Sequence, residues 1–236
     1  MNVRRGSLLA DAEQVEGLPI IIDVLRAFTT SPVLFSLGIE SLILVSTAEE
    51  AFALREKHGC LLAGENNGIK IDGFDFGNSP TELLRLPAGE LNGKTVVLRT
   101  SAGTQGVVAA MKRSQQVILG SFVMAKAIAA YVRQQNPDTV SMVAMGQRLL
   151  EKAPEDEACA AYFEHLLAGK PYDHYAALWE CINTPLINGW LHGGAEHIPP
   201  EDIFLCLQRD LFDFVLVAEM VDGVIRVSKV STDQTG

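Results

Sequence analysis

The residues best suited to chemistry lie in Gly64–Pro80, GENNGIKIDGFDFGNSP, which holds Glu65, Asp72, Asp75, Lys70 and three asparagines. A loop this long and polar is more often functional than passive. Gly68, Gly73 and Gly77 allow tight folding, which would bring Glu65 and Asp75 towards one point. Carboxylates beside amide side chains suit a hard, oxygen-seeking cation such as magnesium. The plainer alternative is a solvated connection held by Asx turns.

Other segments supply candidates in the same register. Pro19–Val24 is an apolar run that ends on an acid, Asp23. Thr95–Arg99 runs into TSAGTQG, where Thr100, Ser101, Gly103 and Thr104 precede a helix. Small hydroxyl and glycine residues at that place form an anion cradle of backbone N–H groups aided by the helix dipole. Gly120-Ser121 follows another apolar run, and Pro154–Ala168 is a helix opening on Glu155, Asp156 and Glu157. Those three acids either complement the helix dipole or face the cleft as a metal ligand or base.

The elements that must position these groups read as alternating strands and helices. Strands are expected at Pro19–Val24, Ser41–Val45, Cys60–Ala63, Thr95–Arg99, Gln116–Leu119 and Thr139–Ala144. Helices are expected after Thr30 or Ser31 with Pro32 in the first turn, over Thr47–His58, from Ser79, and over Val107–Lys112, Val123–Gln134 and Glu201–Arg209. Thr47-x-x-Glu50 and Ser79-Pro80-Thr81-Glu82 are capping boxes, so Ser79 reads as a cap before it reads as a nucleophile. Tyr172–Gly194 reads as a packed, irregular segment covering the cleft. Phe214–Val217 and Val224–Val230 form a strand pair around Asp222-Gly223. The alternation predicts an α/β fold with a mostly parallel sheet covered by helices on both faces. Sites in such sheets lie at the carboxyl ends of strands, where Asp23, Glu65, Thr100–Thr104 and Gly120-Ser121 fall. One α/β unit over residues 1–236 is expected, with two closely packed subdomains as the alternative.

Composition narrows the partners. The 236 residues are 48% hydrophobic, ample for a buried core, and 19 Lys+Arg against 29 Asp+Glu give a formal charge of -10. That balance argues against nucleic acid or an anionic membrane as partner. Cys60, Cys159, Cys181 and Cys206 are scattered without zinc-ligand spacing, as expected of reduced core residues in a cytoplasmic protein. No apolar run has the length of a secretory leader or a membrane span. Phosphatase devices based on a cysteine six residues before an arginine, on an Arg-His pair or on D-x-D are missing, as are H-E-x-x-H and G-x-S-x-G.

Taken together, IDVLRAFTT (Ile22–Thr30), GENNGIKIDGFDFGNSP (Gly64–Pro80), TSAGT (Thr100–Thr104), GSFVMAKA (Gly120–Ala127) and EDEACAA (Glu155–Ala161) resemble, in order and spacing, the 2-phosphosulfolactate phosphatases, the ComB-like family. The resemblance extends to CLQRDLFDFVLV (Cys206–Val217). It implies a magnesium-dependent hydrolase that removes phosphate from 2-phospho-3-sulfolactate, giving sulfolactate for coenzyme M biosynthesis. The chain departs from the family pattern at Phe28, where a threonine is expected, and at Ala102, where an asparagine is expected.

On this reading magnesium is held by a subset of Asp23, Glu65, Asp75 and Asp156, and catalysis draws on Asp23, Arg26, Glu65 and Asp75. Arg26 would clamp a phosphate or carboxylate oxygen, and Lys70 or Arg99 would neutralise the sulfonate or carboxylate. Asn78, Thr100, Ser101, Gly103, Thr104, Gly120 and Ser121 would bind the remaining oxygens. The nucleophile is either an activated water or Asp23. The expected partner is a small anionic phosphate ester, with a homo-oligomer as an option. The rivals are a non-catalytic metabolite-binding protein on the same fold and a hydrolase of a different small ester.

Overall fold

The run Leu18–Ile22 is buried at every position, which only a strand covered on both faces allows. In the computed structural model, which describes residues 1–232, it lies between two parallel neighbours. The first half of the chain forms β1 (Asn2–Ser7), α1 (Leu8–Ala12), β2 (Leu18–Ile22), α2 (Ala27–Ser36), β3 (Ser41–Leu44) and α3 (Ala48–His58). It continues with β4 (Leu61–Asn66), β5 (Ile69–Lys70), α4 (Pro80–Leu84), β6 (Thr95–Arg99) and α5 (Gly103–Ala110). Then come β7 (Gln116–Gly120), α6 (Ala125–Gln135), β8 (Thr139–Ala144) and α7 (Pro154–Ala168). The last part holds α8 (His174–Ile182), α9 (Pro185–Leu191), α10 (Pro200–Cys206), β9 (Phe214–Val221) and β10 (Val224–Ser231).

The sheet has ten strands in the order β1-β8-β2-β7-β9-β10-β3-β6-β4-β5. Strands β1, β8, β2 and β7 are mutually parallel, as are β3, β6 and β4. The β9–β10 hairpin joins the two groups through antiparallel pairings on both sides. Its turn, Asp222-Gly223 at φ 51° and 80°, is the left-handed pair that a tight hairpin demands. Three antiparallel steps reverse the sense of the second group relative to the first. Neighbouring strands also twist by about 20–25° each, so the six steps from β2 to β4 accumulate roughly 120–150°. This rotation swings the carboxyl ends of β4 and β6 back towards that of β2. Helix α5 packs against β2 and β7 of one group and β3 of the other, so the sheet wraps around it. The main core spans both groups, and a smaller cluster of Ile43, Val45, Leu62, Phe74 and Val97 lies under α3.

Local departures from the sequence expectation have identifiable causes. The N-terminal residues form an edge strand, β1, whose exposed Asn2, Arg4 and Arg5 carry no apolar signal. Tyr172–Gly194 is mostly helical, as α8 and α9, capped by Asp173 and Thr184 side chains. The Thr47 capping box is complete, whereas Ser79 accepts the Glu82 N–H without the reciprocal bond from Glu82. Helix α2 starts at Ala27, so Pro32 lies inside it; Thr30 and Ser31 donate to the carbonyls of Asn78 and Ala27 and cap nothing.

Pro32 also explains Ser121. A proline at 32 cannot donate to the carbonyl four residues back, that of Phe28. Ser121 Oγ, fully buried, donates to that oxygen at 2.7 Å. Gly120 is equally structural: a Cβ there would come within 2.7 Å of the Ile20 side chain. The expected substrate-binding pair Gly120-Ser121 therefore serves packing and α2. Ser121→Ala should cost about 1–3 kcal/mol of stability in a denaturant titration, while leaving small-ligand binding by the folded protein unchanged.

Candidate active site

Asp23 follows β2 directly, and its own N–H donates to Gly120 O on β7. Its carboxylate Oδ1 accepts the Ala27 N–H at 3.1 Å, and the Gly103 N–H at the start of α5 also supports it. Gly103 must be glycine here, because a Cβ would stand 2.6 Å from Asp23 Oδ2 and 2.9 Å from Ala27 Cβ. Burial and the nearby Glu65 carboxylate raise the Asp23 carboxyl to about 6, against the pull of the two N–H donors.

Glu65, on β4, approaches the same place from the other half of the sheet. Its Oε1 accepts the Ser101 N–H at 2.6 Å, and its Oε2 accepts the Gly68 N–H and the Ser101 hydroxyl. The Asn67 N–H closes the ring on Ser101 Oγ at 2.8 Å. The Thr104 N–H, next in line, is taken by Thr100 Oγ1 at 3.1 Å, and Thr100 N–H by Thr104 Oγ1 at 2.9 Å. The TSAGT cradle thus holds anions, but they are the protein's own carboxylates.

Asp23, Arg26, Glu65, Asn78, Ser101 and Ala102 line one cavity of about 300 Å³, a size suited to a small metabolite. Its opposite wall comes from the C-terminal part of the chain, with Trp190, His197 and Ile203, and its mouth carries Gln147 and Arg148. A second cavity, of about 340 Å³, shares Arg26, Gly68, Asn78 and His197 with the first. Asn78 is buried on the border of the two, and its Oδ1 has no hydrogen-bond partner.

Arg26 is 5% exposed and forms an ion pair with Asp202, itself fully buried, at 2.8 Å. The guanidinium also donates to the carbonyls of His197 and Gly68. Among the described residues nothing accepts from its Nε, which leaves an edge of the planar group for an oxyanion. Asp202 Oδ1 in turn accepts from Ser79 Oγ, the Thr81 N–H and Thr81 Oγ1, tying α10 and the start of α4 to Arg26.

The other expected residues lie elsewhere. Asp75 turns back along β4, where its Oδ2 accepts the Leu62 N–H at 2.7 Å and faces Arg55; it borders the second cavity with Lys70. Arg99 spends its donors on the carbonyls of Ser46 and Glu65 and on Asn66. Thr100, Gly103, Thr104, Gly120 and Ser121 lie behind the cavity wall. Asp156 bridges two strand ends, with Oδ1 accepting Val24 N–H at 2.8 Å and Oδ2 accepting Gly146 N–H at 2.9 Å. Glu157 pairs with Arg5 and Ser7, while its neighbour Glu155 is buried beside Asp23. Burial and Asp23 raise Glu155 to about 7; burial, then Glu155 and Asp23, raise Asp156 well above the carboxylate range.

No cage of four carboxylates results: among the described residues, no three His, Cys, Asp or Glu side chains are grouped to hold a metal ion. Magnesium, however, is commonly held by one or two carboxylates and keeps several waters. Asp23 and Glu65, with the unpartnered Asn78 Oδ1 on the same cavity, fit that smaller donor set.

Asp202, His197 and Arg148 are cavity-associated residues that the sequence reading missed, whereas Trp190 lies in the Tyr172–Gly194 segment expected to cover the cleft and does line the cavity. Asp202 looks like a first-turn helix acid, and no local pattern reveals its pairing with Arg26. Arg148 was only loosely accessible to the strand-end rule, because Met145, Gly146 and Gln147 separate it from the end of β8, whereas Asp23 follows β2 directly.

Two outcomes follow from this geometry. A carboxyl with a raised pKa is protonated in the fold at pH values where the unfolded chain has already released the proton, so its ionisation erodes stability as pH rises from about 4 to about 7. Glu155→Gln should therefore gain in Tm over the wild type as pH rises through that window, in protein treated with a chelator. Asp202→Ala leaves Arg26 buried and unpaired, and should cost about 3–5 kcal/mol in a denaturant titration.

A family model described as 2-phosphosulpholactate phosphatase matches residues 7–220. A protein of Caldanaerobacter subterraneus subsp. tengcongensis named probable 2-phosphosulfolactate phosphatase is 29% identical over 93% of this chain and 94% of its own length. Proteins of the same name from Carboxydothermus hydrogenoformans and Deinococcus radiodurans are 41% and 35% identical. Those two matches cover 63% and 70% of this chain, and the chain spans 60% and 67% of the relatives' lengths. Matched along most of its sequence, the chain belongs to the 2-phosphosulfolactate phosphatase family.

Proposed function

We propose that this protein is a magnesium-dependent phosphatase that converts 2-phospho-3-sulfolactate, or a closely related small phosphoacid, to sulfolactate and phosphate. The observation that carries the reading is the placement of Asp23, Glu65 and Arg26 on one cavity of small-metabolite size. Magnesium held by Asp23 and Glu65, with Asn78 beside them, would supply positive charge to the phosphoryl oxygens. Arg26 presents its free edge to an oxyanion, fixed in direction by Asp202, His197 and Gly68.

Water is the favoured nucleophile. Asp23 is pinned by the N–H groups of Ala27 and Gly103 and lines the cavity, so it would serve as general base to a water placed there. Water oxygen bonds to phosphorus as the bond from phosphorus to the ester oxygen breaks; one water proton passes to Asp23 and returns through solvent to the departing oxygen, which becomes the product hydroxyl. As the family resemblance implies, the sulfolactate would serve coenzyme M biosynthesis in a cytoplasmic setting. No helix among the described residues is long and apolar enough to cross a membrane.

The test is phosphate release from a panel of small phosphoacids, with and without magnesium. Release from 2-phospho-3-sulfolactate that requires the metal and falls about 10²–10⁴-fold in Asp23→Asn is the expected result. Binding without turnover would favour the non-catalytic alternative. Unchanged turnover in Asp23→Asn would remove Asp23 from the mechanism.

A further inference from the structure

The charge around the main cavity is unbalanced for its proposed ligand. Asp23 and Glu65 contribute two carboxylates, and Arg26 is matched by the buried carboxylate of Asp202. A phosphate ester that also carries a carboxylate or sulfonate brings several more negative charges. A metal ion and Arg26 answer for the phosphate end alone. The two cations expected to meet the other end are spent or turned away. Arg99 donates to backbone carbonyls and Asn66, and Lys70 opens onto the second cavity.

Arg148 remains. It lines the main cavity, is exposed at its mouth, and has no salt bridge and no side-chain hydrogen bond to any described residue. Its position is built by the backbone. The Gly146 N–H is fixed on Asp156 Oδ2 at 2.9 Å, and Gln147 exchanges two backbone bonds with Glu151, at 2.7 and 3.3 Å. Arg148 and Leu149 stand in the left-handed region at φ 53° and 64°, a conformation that non-glycine residues rarely adopt in succession. A Cβ on Gly146 would meet Glu151 O at 2.2 Å, so this tight turn depends on glycine at its base. Asp156 grips Val24 N–H with its other oxygen, and Val24 follows Asp23. One carboxylate thus sets the spacing between the reacting centre and Arg148.

Resting on the proposed phosphatase reading, we infer that Arg148 determines specificity by receiving the acidic group, carboxylate or sulfonate, at the end of the substrate remote from the phosphate. A planar guanidinium with five donors suits either oxyanion. The residue takes no part in bond breaking, so its effect appears in KM and depends on the charge of the substrate's tail.

The experiment compares two esters on wild type, Arg148→Ala and Arg148→Lys: 2-phospho-3-sulfolactate and a small alkyl phosphate without a second acidic group. Arg148→Ala should raise KM for the acidic ester about tenfold to a hundredfold, with kcat held within a few-fold and little change for the alkyl phosphate. Arg148→Lys should recover part of the loss, and Tm should not move because the side chain is exposed. An equal effect on both esters, or none on either, overturns the assignment. If the wild type releases phosphate from neither ester, the phosphatase reading fails first, which separates the two failures.

Discussion

A carboxylate taken out of water has to be met by donors or by positive charge, and four of them leave water around the carboxyl end of β2. Glu65 is met by three donors, Asp156 by two backbone N–H groups, and Asp23 by those of Ala27 and Gly103. Glu155 has no side-chain hydrogen bond to another described residue, and burial holds its proton to about 7. The donors do not cancel the cost of burial and, after it, of the neighbouring carboxylates, which is why Asp23 and Asp156 are also pushed up. That residual cost is what a bound cation would relieve, and it gives a physical reason for the cluster to exist in a fold that could bury apolar groups there instead.

Everything nearby is arranged to keep that cluster in place. The N-terminal turn of α5 carries the Gly103 N–H to Asp23, and the loop before it carries Ser101 to Glu65, so one strand-to-helix connection clamps acids from both halves of the sheet. The wrapped sheet makes this meeting possible. From the far side, Asp202 reaches Arg26 and the start of α4 together, so the C-terminal helices form the cavity wall and also orient its guanidinium.

What the sequence disclosed was whatever local chemistry determines. Continuous apolar runs marked the inner strands, Thr47-x-x-Glu50 marked a complete capping box, and Asp222-Gly223 marked the hairpin. Asp23 and Glu65 were legible because burying an acid at the end of an apolar strand is costly, so its presence there points to a task. Asp75, Arg99, Thr100 and Ser121 were legible as polar residues near strand ends but not in their roles. Thr100 closes a local bond with the Thr104 N–H at the head of α5, and the other three satisfy backbone groups whose need arises from tertiary geometry, as the Phe28 carbonyl orphaned by Pro32 shows for Ser121. The pairing of Arg26 with Asp202 lies 176 positions apart and left no local trace.

The TSAGT segment shows how a correct pattern can point to the wrong occupant. Amide groups at the head of α5 do form an anion-binding nest, as small residues between strand and helix suggest. Yet Ser101 N–H is taken by Glu65, Gly103 N–H by Asp23 and Thr104 N–H by Thr100. An asparagine at 102 could add a cap to this helix, whereas Ala102 supplies no side-chain hydrogen bond and presents only a methyl group to the cavity. A phosphate arriving there meets a nest already filled with negative charge. Its recognition must therefore come from positive groups across the cavity, the free edge of Arg26 and a cation on the gathered carboxylates, and the amides act one step removed by holding those carboxylates still.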